Sequence, residues 1–410
     1  MTRRGWVIVV LVVACAATLV NSTLNAVIYQ PKADEGYYLR DAIRIAEDGP
    51  RAFPALCRDY LDHAQTRQYF PHPLRLTTLL LDAAAVRLSG PSFTSLQQLS
   101  LLAFLALLIF MLCGLNRTLD ERTALWGTLL LVVSPLHLAM ARRALADSLV
   151  ATLLVACLGL CIRAVTTEKG NTRQWWFVAV AYMVTFLAKE GAVVLIPMSV
   201  FFIGWHAVRH RRRLPLWPLC AVSLVPLIGA LGLVSLAAGG FAIAWQVLSV
   251  SLASAATNPY LLQYGNGPWF RYLVDYLLLS PCTTLLYVLW LGYLIGARIH
   301  PALKSGVNDE RLWAWALVPV LFIACSAPFT KNVRYALVLE VPMRLGAAWL
   351  LQQLGGAHAS ARWATIRIAI LVAVLAWIDL HAFSRVFVVG DVYDPVSLLL
   401  LAVRRFLPMR

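Results

Sequence analysis

Charged residues are scarce in this sequence. They make up 13% of its 410 residues, whereas 60% are hydrophobic, and the mean hydropathy is +0.72. Soluble domains typically carry about 25% charged residues, so the composition excludes a soluble globular protein and indicates a polytopic membrane protein. The net charge is +15, but Lys and Arg fall mainly in short connectors between apolar runs, which is typical of membrane loops. No basic patch is interleaved with stacking aromatic residues, so we expect no nucleic-acid binding.

Short signatures of soluble catalysts are also missing. The sequence contains no P-loop, GxSxG, HExxH or dinucleotide-binding fingerprint, which leaves nucleotide hydrolysis and triad chemistry without support. Its eight cysteines are scattered, and no CxxC or Cys/His spacing indicates a metal site or a disulfide framework. Cysteine usage therefore indicates no particular compartment.

Long apolar runs dominate the chain. A membrane span needs about 20 apolar residues, and eleven runs meet or approach that length: 6–29, 96–115, 123–141, 146–164, 174–188, 191–207, 215–238, 276–297, 312–328, 335–351 and 364–384. The first run is longer than the apolar part of a signal peptide, so we expect an uncleaved span there. The sequence thus predicts an all-α polytopic membrane protein with about eleven transmembrane helices.

The charges of the connectors orient these spans. Arg3 and Arg4 hold the N-terminus in the cytoplasm, because basic residues favour the inner side. Alternation then assigns to the cytoplasm the connectors 115–122, 163–173, 209–213, 297–306 and 355–362. The opposite connectors are 30–95, 142–147, the Lys189 junction, 239–275 and 328–334. This assignment requires the charged stretch 72–90 to lie at the interface or to re-enter; if it crosses, every later side inverts.

The first outer connector is rich in acidic residues. Within it, residues 36–48 place apolar side chains at helical spacing and end at Gly49-Pro50, which predicts an interfacial helix. Asp34 and Glu35 stand at its start, where the helix dipole favours negative charge. One interpretation is N-terminal capping, worth about 1 kcal/mol. The other is a general base that takes a proton from an acceptor hydroxyl.

A second group of charges lies between two apolar runs at 142–147. Arg142 and Arg143 are suited to phosphate recognition through their planar donors. Asp147 is suited to orienting one of them, or to holding a divalent cation together with Asp34. The alternative is a basic anchor that contacts lipid headgroups.

Three further positions carry polar groups near predicted outer junctions. Lys189 interrupts a long apolar stretch, so it marks either a plain turn with a snorkelling side chain or a ligand for an anion. Arg334 lies on the outer side, where basic residues are less frequent, so we expect an anionic partner there such as a lipid phosphate. Tyr335 is also consistent with an interface anchor. His72, between two prolines, is a weak candidate metal ligand.

Five segments occur in an order that resembles the GT-C glycosyltransferases. They are "ADEGYYLRDA", "PHPLRLTTLLLDAAAVRLSG", "SPLHLAMARRALAD", "LAKEGAVVLIP" and "VRYALVLEVP". Within that superfamily they are similar to protein O-mannosyltransferases and lipid A aminoarabinose transferases. The similarity covers roughly residues 1–215 and, beyond that, only 331–342.

The resemblance implies a GT-C membrane fold with interfacial helices in the first extracytoplasmic loop. It further implies transfer of a sugar, with inversion, from a polyprenyl-phosphate carrier to an extracytoplasmic acceptor: a protein, a lipid or a polysaccharide. Asp34 would then be the general base, and Glu35 and Asp147 would support it or a cation. Arg143, Lys189 and Arg334 would hold the donor phosphate. Either Arg142 or Arg143 corresponds to the family arginine. No cofactor is certain, and a divalent cation stays an open alternative.

The organisation expected from this resemblance is a GT-C module at 1–215 that contains the catalytic loop 30–95. A variable module at 216–410 would follow, with an outer loop at 239–275 and no separate soluble domain. The protein would be integral to the inner or plasma membrane, with its site on the extracytoplasmic side. The main rival is a lipid or sugar-lipid transporter without catalytic activity, which would show internal repeats with interrupted helices at midplane.

Overall fold

The structure, a computed structural model, describes residues 3–24, 28–115, 119–167, 172–265, 267–299, 309–356 and 361–392. These residues are mostly helical, and no strand occurs among them. Their α-helices are α1 (Arg3–Asn21), α2 (Asp34–Asp48), α3 (Phe53–Asp62), α4 (Ala64–Arg67), α5 (Leu76–Ser89), α6 (Phe93–Cys113), α7 (Glu121–Val132), α8 (Pro135–Ala141), α9 (Asp147–Thr166), α10 (Thr172–Phe186), α11 (Leu195–Arg209), α12 (Leu216–Val222), α13 (Leu224–Ala238), α14 (Phe241–Thr257), α15 (Arg271–Leu279), α16 (Pro281–Ile299), α17 (Glu310–Ser326), α18 (Glu340–Gly356) and α19 (Ala361–Phe383). Short 3₁₀ segments at Gly49–Ala52, Glu190–Val194 and Val333–Leu339 and π segments at Leu261–Gly265 and Ser384–Val389 complete the helical structure of the described residues.

The helical lengths confirm a polytopic membrane protein. Within the described residues, six helical segments are long and apolar enough to cross a bilayer: Phe93–Cys113, Asp147–Thr166, Glu190–Arg209, Leu216–Ala238, Pro281–Ile299 and Arg362–Val389. The pair α7 and α8, bent by 61°, forms a seventh if it is one broken span. The predicted count of eleven is not confirmed, because helices such as α10 and α17 have only 15 and 17 residues.

Two stretches differ from the sequence expectation. The predicted span at 335–351 is divided between a 3₁₀ turn and α18, which begins at the charged residue Glu340. The predicted outer loop at 239–275 contains the apolar helix α14. The connectors assigned to the cytoplasm at 115–122, 163–173, 297–306 and 355–362 lie partly outside the described residues, as does the end of the expected module 216–410.

The chain divides into two compact units that interleave in sequence. The first comprises the described parts of Met1–Thr23, Leu105–Ala139 and Gly267–Arg410, and the second those of Leu24–Phe104 and Met140–Asn266. We call them the outer-segment unit and the loop-bearing unit, because the first holds both ends of the described chain and the second holds connector 30–95. The boundary expected at residue 215 separates sequence that resembles the family from variable sequence. It is not a boundary between compact units, and it stays a prediction.

In the loop-bearing unit, α2 forms as the apolar periodicity predicts. It turns Tyr38, Ala42 and Ile45 into the interior, packs against α5, and ends at Gly49, whose φ of 68° lies in the left-handed region that favours glycine. Helix α5 has 14 residues and is not among the candidate spans. This length is consistent with the interfacial position predicted for 72–90.

In the outer-segment unit, α18 packs against α7, α16, α17 and α19. One hydrophobic cluster there consists of Leu130, Ala347, Leu351, Ile368, Val372 and Leu375. The interior also holds a fully buried cation, Arg344, which pairs with Glu340 and Asp379, each at 2.7 Å. This pairing allows three charged side chains to be buried together.

Candidate functional site

The start of α2 carries the two carboxylates that the sequence singled out. Asp34 is the first helical residue and is half-buried, while the N-cap is Ala33, which makes no side-chain cap hydrogen bond. N-terminal capping by Asp34 is therefore wrong as the explanation of this residue. What remains is a carboxylate in the first helical turn, where the helix dipole stabilises its charge.

Glu35 is fully buried and holds three chain segments together. Its carboxylate accepts hydrogen bonds from the backbone N–H of Gln30 at 2.7 Å and of Ala144 at 3.0 Å. It also accepts one from Nε of Arg143 at 3.2 Å. Burial raises the pKa of the Glu35 carboxyl, and Arg143 and these N–H donors oppose that rise. Glu35 thus fixes the start of α2 against the turn that precedes α9.

Arg142 and Arg143 lie in that turn, and both are buried, at 3% and 4% exposure. Arg143 is the one whose guanidinium contacts Glu35. Side chains of α6 hold the turn in place: the Gln97 amide donates to the carbonyl of Ala141 at 3.1 Å, and the Ser100 hydroxyl donates to that of Leu145 at 2.8 Å. The sequence therefore builds a rigid cradle for two arginines at the end of an apolar helix.

Asp147 is the first residue of α9, and Lys189 stands just before the 3₁₀ turn that opens α11. Nζ of Lys189 donates to Oδ1 of Asp147 at 2.7 Å. Their side chains are 14% and 5% exposed, so the pair is largely shielded from water and Lys189 is not a snorkelling cation in a plain turn.

Sequence reasoning missed an ion-paired group beside these residues. Arg75 donates from Nε to Oε2 of Glu190 at 2.9 Å, and its two other guanidinium nitrogens donate to Oε1 of Glu190 and to the hydroxyl of Tyr38. Nε2 of His72 lies 3.4 Å from the same Glu190 carboxylate. In the sequence, Arg75 is only one charge of the stretch 72–90, and Glu190 only follows Lys189, so neither is marked as a partner of the other.

The electrostatic environment of the Tyr38 hydroxyl shows which charged groups lie near the start of α2. Burial raises the pKa of this hydroxyl, Arg75 opposes the rise, and the carboxylates of Asp34, Asp147 and Glu190 add to it. These electrostatic contributions require the three carboxylates to lie close to one buried hydroxyl. The predicted residues Asp34 and Asp147 therefore lie in one neighbourhood, to which Lys189 and His72 connect through their ion pairs.

Arg334 and Tyr335 belong to the outer-segment unit, so the prediction that Arg334 shares a cavity with the loop-bearing residues stays a prediction. Within its own unit, Arg334 is 9% exposed, its guanidinium lies 5.5 Å from the Tyr335 ring centre, and its backbone N–H donates to the N-cap Asn332. The neighbouring Lys331 is 3% exposed and donates to two backbone carbonyls at 3.0 and 3.1 Å. Burial lowers the pKa of Lys331, and the positive charge of Arg271 lowers it further.

Asp34 and Asp147 are the carboxylates of the loop-bearing unit that the sequence suggested as ligands of a divalent cation. Among the described residues of this unit, no third His, Cys, Asp or Glu comes close enough to Asp34 and Asp147 to share one ion with them. Asp147 already holds Lys189, and His72 faces Glu190. A divalent cation held by Asp34 and Asp147 stays a prediction, because Mg²⁺ can be bound by one or two carboxylates together with a substrate phosphate.

The comparisons with known proteins agree with this architecture. Residues 72–232 match the family described as dolichyl-phosphate-mannose-protein mannosyltransferase. The chain superposes on the oligosaccharyltransferase AglB of Archaeoglobus fulgidus with a TM-score of 0.62, at 13% identity, covering 93% of this chain and 56% of that one. It superposes on ArnT of Cupriavidus metallidurans with a TM-score of 0.60, at 15% identity, covering 93% of this chain and 76% of that one. The chain has the GT-C membrane fold.

The resemblance predicted from five short motifs is thus confirmed. This GT-C chain spans about half the length of the AglB chain it matches. No curated protein sequence matches it. An AglB structure is described as a complex with zinc and sulfate.

Proposed function

We propose that this GT-C protein is an integral membrane glycosyltransferase that moves a sugar from a polyprenyl-phosphate carrier to an extracytoplasmic acceptor, with inversion and with Asp34 as the general base. AglB and ArnT are similar in fold, and their structures contain a dolichol-phosphate and undecaprenyl phosphate. The observation that carries the proposal is the group of carboxylates and cations from four distant segments, gathered beside Tyr38 at the start of α2.

The reaction is a single displacement at the anomeric carbon of the sugar. The acceptor hydroxyl oxygen attacks that carbon, the bond from the carbon to the carrier phosphate oxygen breaks, and the phosphate leaves with the bonding electron pair. Asp34 takes the proton of the acceptor hydroxyl, a role that typically contributes 10²- to 10⁴-fold. Its half-buried position in the first turn of α2 suits this role, because the side chain stands at the open end of the helix, where a substrate hydroxyl can reach it.

The other residues position the base and neutralise the leaving group. Glu35 is a positioning residue, since all its bonds described above go to the protein itself. Arg143, Lys189 and Arg334 supply the positive charge that offsets the departing phosphate. Arg142, Tyr335 and His72 complete the set of proposed substrate contacts, and Asp147 holds Lys189 in place.

Replacing Asp34 by Asn tests the proposal. In membranes that contain the chain, we expect the D34N variant to lower consumption of polyprenyl-phosphate-linked sugar by about 10²-fold or more, because the amide cannot accept the proton. A panel of hexosyl and pentosyl polyprenyl phosphates serves as donors, and glycans and lipid-linked sugars of cell envelopes with and without the protein identify the substrates.

The matched control is Asp48→Asn, which changes an exposed carboxylate at the other end of the same helix. This control should keep normal donor consumption and normal membrane insertion. If D34N membranes consumed the donor at the wild-type rate, the assignment of Asp34 would fail. If wild-type membranes consumed none of the panel while envelope glycans stayed unchanged, glycosyl transfer itself would be refuted.

A further inference from the structure

A cluster of arginines lies at the end of the loop-bearing unit away from the carboxylates. Arg211, Arg212 and Arg213 are exposed and occupy the short connector between the candidate spans Glu190–Arg209 and Leu216–Ala238. Because Glu190 begins the same span that Arg209 ends, the cluster and the carboxylate group stand at opposite ends of a helical rise of about 30 Å. We call residues 211–213 the arginine patch.

The patch has no negative charge on its own elements. Between residues 172 and 238, which include α10 to α13, the sequence contains a single acidic residue, Glu190, at the far end. The side chains of Arg211, Arg212 and Arg213 make no ion pair with any described residue. Three adjacent exposed cations with no acidic neighbour in sequence make this connector a positive surface that attracts anions.

The backbone at the patch gives a second observation. Arg211 has a φ of 51° at the position after a helix where glycine is usual, since a side chain there costs roughly 1–2 kcal/mol. The N–H of Arg212 closes the turn on the carbonyl of Ala207 at 2.8 Å. An arginine held in this conformation indicates that its side chain matters more than the relaxed backbone that glycine would allow.

Three tryptophans lie near the helix ends that adjoin the patch, at the end of α11 and at the starts of α10 and α12. Trp176 near the start of α10 and Trp217 near the start of α12 have ring centres 4.9 Å apart. The Arg209 guanidinium lies 5.8 Å from the ring centre of Trp205, at the end of α11. Tryptophan concentrates at the headgroup level of a bilayer, so these rings mark the depth at which the patch lies.

We infer that the arginine patch is a binding site for the headgroup of an anionic phospholipid. The connector is too short to carry the arginines out of the headgroup layer, which adds about 5–8 Å to each side of the hydrocarbon core. Basic side chains just beyond a span attract anionic lipids at about 1 kcal/mol each, or roughly fivefold in affinity per residue. Arg173, exposed near the start of α10, extends the positive surface on the side of Trp176.

Native mass spectrometry of the purified full chain tests the site without using any transfer activity. The chain in detergent is titrated with phosphatidylglycerol or phosphatidylcholine. We expect the wild-type chain to bind phosphatidylglycerol more tightly than phosphatidylcholine, and R211Q/R212Q/R213Q to bind phosphatidylglycerol at least about tenfold more weakly. Added inorganic phosphate should compete only weakly, because it lacks the acyl chains that seat between the spans.

Two controls make the result specific. R44Q/R51Q/R58Q removes the same number of exposed arginines from connector 30–95 and should keep wild-type binding, and R211K/R212K/R213K should keep the preference for phosphatidylglycerol. Equal affinity of wild type and R211Q/R212Q/R213Q for phosphatidylglycerol would overturn the inference. Equal loss in the R44Q/R51Q/R58Q control, or full competition by inorganic phosphate, would overturn it as well.

Discussion

Arg67 is the buried cation of connector 30–95, and it interacts with both acidic and aromatic neighbours. Its guanidinium contacts Asp59 at 2.5 Å and Asp41 at 3.5 Å. It also lies 5.2 Å from the ring centre of Tyr37 and 5.6 Å from that of Tyr60. Because Asp41 is two turns after Asp34 on α2, Arg67 helps to fix the helix that carries the proposed base.

Replacing Arg67 by Met should destabilise the protein. The change leaves the buried Asp41 carboxylate without its deepest counter-ion, at a cost of about 3 kcal/mol. The cost should appear as a lower midpoint of thermal unfolding in detergent. The exposed Arg58→Met change on α3 is the control, and it should stay within about 0.5 kcal/mol of wild type. Equal losses in the two variants would show that Arg67 adds nothing beyond surface charge.

The same substitution has a defined pH dependence. Burial already raises the pKa of Asp41, and Arg67 opposes that rise, so R67M raises it further. When a carboxyl group has a higher pKa in the folded state than in the unfolded state, the protein loses stability as the pH rises from the unfolded-state pKa through the folded-state pKa. The deficit of R67M should therefore be smallest in acid, where Asp41 is protonated, and largest at neutral pH.

The residue types of the site could be predicted from the sequence more readily than their partners. Asp34, Asp147 and Lys189 stand out because a charge beside an apolar run is costly, so its presence there points to a function. The pairing of Lys189 with Asp147, and of Arg75 with Glu190 across 115 positions, could not be predicted, because nothing in one sequence marks two distant charges as partners. The contact of Arg143 with Glu35 is another such partner that the sequence does not reveal.

At the scale of elements, α16 and α18 pack so closely that one position requires glycine. A Cβ added at Gly346 would lie 2.1 Å from the ring of Trp290, which is fully buried. A contact that short forces the helices apart or the ring out of its rotamer. The close packing explains why α18 carries a glycine in mid-helix despite its helix-weakening effect.

Replacing a glycine by alanine should have opposite effects on stability at two positions of the α16–α18 pair. Gly346→Ala should cost about 1–3 kcal/mol through overpacking. Gly292→Ala on α16 has open space around its added Cβ and should stabilise by roughly 0.5–1 kcal/mol through helix propensity. Thermal unfolding of both variants in the same detergent measures the difference. A stable G346A variant would mean that α16 and α18 lie farther apart than described.

The sequence predicts a helix correctly where its apolar periodicity and its helix-end signals agree, as in α2, which ends at Gly49. It does not do so where polar residues are satisfied by distant groups. The run 335–351 scores as a span, yet it contains Glu340 and Arg344, which pair with each other. Arg344 also donates to Asp379 and to the carbonyl of Leu130. Hydropathy has no means of detecting such partners, so it extended one span across a 3₁₀ turn and a helix start.

At the scale of the whole molecule, the basic connector and the carboxylate group should face opposite sides of the membrane. In a background lacking the native cysteines, Glu190→Cys should react with a membrane-impermeant maleimide from outside the cell. Arg212→Cys should react only after the cytoplasmic side is opened. Both positions are exposed, so each is accessible to the reagent. Labelling of both from the same side would overturn the predicted topology.

The interleaving of the two units bears on how the chain is made. All of the loop-bearing unit has been synthesised once Asn266 is added, whereas most of the outer-segment unit, to which α1 belongs, is made later. Since domains tend to fold as units during synthesis, the cradle around Glu35 can assemble while α1 is still held by the insertion machinery. A nascent chain arrested once Asn266 has cleared the ribosome should already protect Asp147 and Lys189 from proteolysis, before α18 and α19 have been made.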